Sequence, residues 1–218
     1  MSWRLVVFDC DGTLVDSAAL ILAAMDRAFA RADRPPPAET AVRSIVGLSL
    51  AEAMAALLPE EDAAVHVDVA EHYRRSFAEL RTEGIHDERL FPGLADLLDE
   101  LDRTGRLLAV ATGKSRRGLD HLVDKHGWHG RFVSLQTADR HPSKPHPAML
   151  LQAVAEAGVK RSQAVMIGDT SYDMAMARSA RVAGIGVTWG HHPEVLLRDA
   201  GADHVVADVD ALRGLLLS

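Results

Sequence analysis

The stretch Val6–Ser17, VVFDCDGTLVDS, decides the reading of this chain. Its apolar opening reads as a buried strand, and two carboxylates, Asp9 and Asp11, follow directly behind it. Desolvating an unpaired charge is costly, so acids placed at the end of a buried strand point to chemistry. Two residues apart on an extended segment, Asp9 and Asp11 project to one side, and Cys10 between them points the other way, into packing. Gly12 permits a sharp turn, which the Thr13 hydroxyl can tie. Carboxylates this close repel unless a cation lies between them or one is protonated. A hard, oxygen-liganded ion such as Mg²⁺ fits, with Asp169 completing the cluster. The remaining reading has one carboxylate attack as a nucleophile while its neighbour shuttles protons.

Three further sites stand behind apolar runs. In LLAVATGKS, the Thr112 hydroxyl and the free backbone N–H groups at Gly113 precede a helix and suit phosphate oxygens. Lys114, Arg116 and Arg117 read as surface charges. In HPSKPHP, Pro142 and Pro145 fix the loop that carries Lys144, whose point charge suits phosphate and carboxylates together. His141 and His146 beside it lack metal-ligand spacing. In VMIGDTSYD, Asp169 and Asp173 follow Gly168, and their four-residue offset predicts one face of the helix that starts there.

The bulk numbers bound the alternatives. At 218 residues the chain can build a sizeable core, as one large domain or two unequal ones. A net charge of −7 argues against an electrostatic nucleic-acid binder. The single cysteine, Cys10, excludes an internal disulfide framework and a cysteine-rich zinc site. The opening apolar run is too short for a signal peptide and no stretch reaches the roughly 18 residues of a membrane helix, so a cytoplasmic protein without a membrane partner is expected.

Continuous apolar runs at Leu5–Phe8, Leu107–Ala111, Phe132–Leu135, Ala164–Ile167, Gly184–Val187 and Val205–Val206 predict strands buried on both faces. Amphipathic stretches separate most of them (Leu94–Arg103, Gly118–His126, Pro147–Ala157, Tyr172–Ala180, Glu194–Ala200), which predicts an α/β fold with a doubly wound parallel sheet. Between the first two strands only helical segments appear: Ala18–Arg31, Glu39–Ser44, Leu50–Leu58 and Glu60–Arg81. The expected division is an α/β core domain of residues 1–15 and 89–218, with an all-α cap domain of residues 16–88 inserted into it. Ligands of such sheets sit beyond the carboxyl ends of the strands, where the four sites converge and from which the insertion leaves.

Taken in order, DCDGT, ATG, SKPHP and GDTSYD resemble the four motifs of the haloacid dehalogenase-like hydrolases, most of all the phosphoglycolate phosphatase-like branch with its α-helical cap. The resemblance implies Asp9 as nucleophile, forming an aspartyl-phosphate, and Asp11 as acid and then base. It implies Thr112, Gly113 and Lys144 as phosphate-binding residues. Mg²⁺ would be held by Asp9, the Asp11 carbonyl oxygen and Asp169, with Asp173 in support. Family members that dehalogenate lack the second acid, so Asp11 speaks against that reaction. Arg181 departs from the family's glycine after the helix and would have to adopt a left-handed conformation or end the helix differently.

The implied activity is a Mg²⁺-dependent phosphomonoester phosphatase, monomeric or homodimeric, acting on a small phosphorylated metabolite, with phosphoglycolate one candidate. The alternatives are a phosphomutase of the beta-phosphoglucomutase type, a pyrophosphatase, or a non-catalytic phospho-acceptor module. Arg43 and Arg74 are cationic cap positions where a substrate carboxylate would find a partner, though helix-surface arginines are commoner than ligands.

Overall fold

In the computed structural model, residues 3–84 and 86–218 are described. The chain opens with strand β1 (Leu5–Phe8), a two-residue strand β2 (Val15–Asp16), and helices α1 (Ala18–Arg31), α2 (Glu39–Ile45), α3 (Leu50–Leu57) and α4 (Ala63–Glu83). It continues through β3 (Arg89–Leu90), α5 (Leu94–Arg103), β4 (Leu107–Thr112), α6 (Arg116–His126), β5 (Phe132–Thr137) and α7 (Ala148–Glu156). A short 3₁₀ turn leads into β6 (Ala164–Gly168), α8 (Ser171–Ala180), β7 (Ala183–Val187), α9 (Glu194–Asp199), β8 (His204–Val206) and α10 (Val209–Leu217).

Among the described residues six strands form one parallel sheet in the order β5-β4-β1-β6-β7-β8. Strand β1 lies inside it, its residues all fully buried because both faces are covered. The pleat sends Val6 and Phe8 to one face, among the leucines of α5 and α6, and Leu5 and Val7 to the other, against α7 and α8. Each such side chain contributes roughly 1.5–3 kcal/mol by leaving water. Asp9 follows Phe8 out of the sheet, between the ends of β4 and β6, which carry Thr112 and Asp169.

The insertion has its own apolar cluster, in which Ile21, Met25 and Phe29 of α1 meet Val42, Met54 and Val69. A second patch joins Leu20 and Ala24 to Leu80. Where the chain leaves for these helices and returns, β2 and β3 pair antiparallel, Val15 with Leu90 and Asp16 with Arg89. Sequence patterning showed neither strand, since two residues are too few for a period. Helix α4 begins at Ala63 rather than Glu60, because the Asp62 side chain accepts hydrogen bonds from the Ala64 and Val65 amides and caps it there. Arg181 ends α8 with φ 55° and ψ 46°, so the chain takes the left-handed conformation despite its side chain.

Candidate active site

The first turn is built around Asp169. Gly12 has φ 83°, and a side chain on it would run into the Asp169 carboxylate and the His191 ring. Gly190 presses on the same carboxylate from another loop. Thr13 Oγ1 donates to Asp169 Oδ1 at 2.7 Å, and the His191 amide donates to Oδ2 at 2.8 Å. Trp189 Nε1 donates to the Thr13 carbonyl at 3.2 Å, tying the two loops together. Thr13 and His191 thus hold the Asp169 carboxylate and Trp189 holds Thr13, contacts that sequence reading left without a partner. The clue available was a glycine next to a hydrogen-bonding side chain after each of two buried strands.

Asp173 is not on a shared helical face with Asp169, as the four-residue offset suggested. Helix α8 starts only at Ser171, with Thr170 as its cap, so Asp169 lies outside it. Asp173 closes a capping box: its Oδ2 accepts from the Thr170 amide at 3.1 Å and hydroxyl at 2.7 Å. Its Oδ1 accepts from Lys144 Nζ at 2.6 Å. Lys144, fully buried, also lies 2.9 Å from Asp9 Oδ1. That second contact is an ion pair off the hydrogen-bonding direction, and among the described residues neither Asp9 oxygen has a hydrogen-bond partner.

Carboxylate oxygens of Asp9, Asp169 and Asp173 lie within 4.8 Å of one another, all buried. Lys144 pairs with two of these acids, Asp9 and Asp173, so one ammonium is set against three carboxylates. The imbalance shows in the proton affinities. Burial pushes the Asp9 carboxyl up to about 6, with Lys144 opposing and the Asp173 charge adding to the rise. Burial and the charges of Asp173 and Asp9 hold Asp169 well above the ordinary range, against its two hydrogen bonds. Oxygen-only donors with surplus negative charge and an orphaned oxygen on Asp9 fit a hard divalent cation.

Asp11 lies outside this trio, which corrects the expectation of a cation shared between the Asp9 and Asp11 side chains. Its Oδ1 accepts from Ser17 Oγ at 2.7 Å and pairs with Lys114 Nζ at 2.9 Å. Burial opposes ionisation of Asp11, yet the Lys114 charge and the Ser17 hydrogen bond leave it below the usual carboxylate range. Lys114 is no surface charge: it is buried against Asp11 and Glu88, 3.1 Å from Glu88 Oε1. Burial alone would lower its pKa, but those two acids raise it.

Thr112 is buried at the end of β4, its Oγ1 accepting from the Lys114 amide. A Cβ on Gly113 would stand 2.6 Å from the Gly47 and Leu48 carbonyl oxygens, so the α2–α3 loop lies directly over this residue. The same loop is held by the Ser49 amide donating to Ser143 Oγ (2.7 Å), and the end of α2 by Tyr172 Oη donating to the Ser44 carbonyl (2.9 Å). Arg43 and Arg74 are engaged by Glu39 and Glu71 on their own helices.

Residues 6–187 match the family described as haloacid dehalogenase-like hydrolase. The chain belongs to that family. It is 36% identical over 209 residues to the probable phosphatase IndB of Dickeya dadantii, covering 93% of this chain and 88% of that protein. It is 33% identical over 218 residues to a phosphoglycolate phosphatase of Pseudomonas putida, covering 98% of this chain and 78% of the relative. A hydrolase from Pseudomonas syringae has a crystal structure that superposes with a TM-score of 0.86 at 25% identity, over 97% of each chain. Similarity to phosphoglycolate phosphatases thus spans the core and the helical insertion alike.

Proposed function

We propose that this phosphatase hydrolyses a phosphomonoester of a small metabolite, with phosphoglycolate the first candidate, using Mg²⁺ and an aspartyl-phosphate on Asp9. The observation that carries the reading is the buried Asp9 carboxylate, without a hydrogen-bond partner among the described residues, beside the buried Lys144. A buried acid with a purely structural role ordinarily has hydrogen-bond partners. The names of the curated relatives support the substrate class.

In this reading an Asp9 oxygen attacks phosphorus and the bond to the leaving oxygen breaks, while Asp11, which takes up a proton from water as the substrate binds, supplies it to that oxygen. Asp11 then takes a proton from water, whose oxygen attacks phosphorus. The bond to Asp9 breaks, releasing inorganic phosphate and restoring the carboxylate. Thr112 Oγ1 and the Gly113 amide hold phosphoryl oxygens, and Lys144 balances their charge. Asp9, Asp169 and the Asp11 carbonyl oxygen would hold Mg²⁺, and Asp173 keeps Lys144 beside it. When bound, the ion supplies the charge neutralisation that an anionic nucleophile needs to approach a phosphate dianion.

Residues 16–88 act as a cap domain over a core of residues 1–15 and 89–218, and the cap reads the rest of the substrate. We place the enzyme in the cytoplasm, as a monomer or homodimer; no helix among the described residues is long and apolar enough to cross a membrane. Phosphate release from phosphoglycolate, sugar phosphates, nucleotides and pyrophosphate, with Mg²⁺ and after EDTA, tests the reading. Expected is stoichiometric phosphate from a small monoester, lost with EDTA. A need for a sugar bisphosphate would redirect it to a phosphomutase, and a preference for pyrophosphate to a pyrophosphatase. Inertness toward the whole panel with Mg²⁺ overturns it.

A further inference from the structure

Asp11 is bound to a second buried charge cluster that the proposed reaction leaves unused. Lys114 Nζ lies 2.9 Å from Asp11 Oδ1 and donates to Glu88 Oε1 at 3.1 Å. Glu88 Oε2 in turn accepts from Arg81 Nε at 2.9 Å. The Glu88 side chain is 1% exposed and that of Lys114 8%. The Phe77 ring covers both cations, at 5.1 Å from Lys114 Nζ and 4.9 Å from the Arg81 guanidinium. Two cations and two acids balance, so this cluster, unlike the one at Asp9, leaves no surplus charge.

Its four members come from four places: the turn after β1, the end of α4, the return segment before β3, and the loop after β4. Both partners of Asp11, Ser17 Oγ and Lys114 Nζ, engage the same oxygen, Oδ1. Oδ2 is left without a protein partner among the hydrogen bonds and ion pairs of the described residues. We infer that Lys114 is a positioning residue for Asp11: it pins Oδ1 so that Oδ2 faces the reaction, and the Arg81–Glu88 pair makes that hold depend on where α4 sits. The inference rests on the reading of Asp11 as acid and base. Keeping these charges buried carries a desolvation cost that well-packed apolar residues would avoid. Fixing a proton donor supplies a reason to retain them.

The test uses leaving groups. The p-nitrophenolate oxygen of an aryl phosphate departs as an anion, whereas an alkyl phosphate needs a proton delivered, and kcat/KM reports that first half-reaction. Asp11→Asn should depress kcat/KM for the alkyl phosphate by about 10²-fold or more, and far less for the aryl one. Lys114→Met should depress the alkyl-to-aryl ratio in the same direction, by about 10- to 100-fold. Lys114→Arg should recover most of it, and the double variant Asp11→Asn/Lys114→Met should be no slower than Asp11→Asn alone. Equal losses on both substrates for Lys114→Met, or multiplying losses in the double variant, overturn the inference and leave Asp11's role standing. An Asp11→Asn enzyme without leaving-group bias overturns that role and the inference together. Glu88→Gln repeats the measurement should Lys114→Met not fold. The same bias, smaller in size, is expected from it, and equal losses on both substrates overturn the inference.

Discussion

The helical insertion and the sheet edge handle charge in opposite ways. In the insertion, cation and carboxylate meet near the surface: Arg27 with Glu83 at 2.8 Å, Arg31 with Glu79 at 2.6 Å, and, between loops, Arg34 with Glu61 at 2.7 Å. Hydrogen bonds from Arg31 and Arg27 hold Glu79 and Glu83 below the ordinary carboxylate range. At the sheet edge Lys144 pairs with two of three clustered buried acids, Asp9 and Asp173, and burial pushes Asp9 the other way, up to about 6. Exposed pairs are self-sufficient and contribute little. The buried set is complete only with further positive charge, and that deficit marks the site better than the number of its charges.

The largest expected effect is Asp9→Asn, which removes the nucleophile. Turnover should fall by at least about 10⁴-fold with the fold unchanged by circular dichroism. Activity near that of the unmodified chain would erase the distinction drawn between the two regions. Next comes Lys144→Met, which strands Asp9 and Asp173 without their cation. Removing one partner of a buried pair costs about 3–5 kcal/mol, readable in chemical denaturation, and Mg²⁺ should recover part of it. A loss no larger than that of Arg34→Ala in the loop after α1 would contradict the contrast.

A third prediction concerns pH. Because Asp9 is raised from its ordinary value to about 6, the folded metal-free chain holds this proton more tightly than the unfolded chain does. Below both values the group costs nothing. As pH rises from about 4 through about 6 it increasingly destabilises the metal-free fold. Mg²⁺ must displace that proton at low pH only, so the rise in Tm on adding Mg²⁺ should be larger at about pH 7 than at about pH 5. An equal or reversed difference would contradict the site's charge deficit. The smallest effect is Arg181→Gly, which relieves a left-handed residue at the end of α8 and should stabilise by about 1 kcal/mol without changing turnover.

What could be read in the sequence follows the same divide. Strand β1, helix α1 and helix α5 appear at their observed ends, because apolar continuity or a 3.6-residue period marks them locally. The doubly wound sheet follows from that alternation, and the acids behind β1 and β6 could be picked out since charge directly after a buried run is conspicuous. Helix α10 went unread although Asp208 caps it, because its short apolar run resembles a strand as much as a helix. Lys114 was misread for a different reason. Its burial depends on Glu88 and on Asp11, a hundred residues earlier in the chain, and no local pattern reports a partner at that distance. Glu88, 26 residues from Lys114, was unreadable on the same grounds. Asp173 was placed beside Asp169 by counting residues, whereas Thr170, as cap, moves the helix start past Asp169.

The account stands most directly on where phosphorus becomes attached. Rapid acid quench of the enzyme turning over a labelled phosphomonoester with Mg²⁺, followed by mapping of the label, should find one acyl-phosphate, on Asp9, absent from Asp9→Asn and from EDTA-treated protein. Label on another residue, or steady turnover with no covalent phosphate at any quench time, would contradict it.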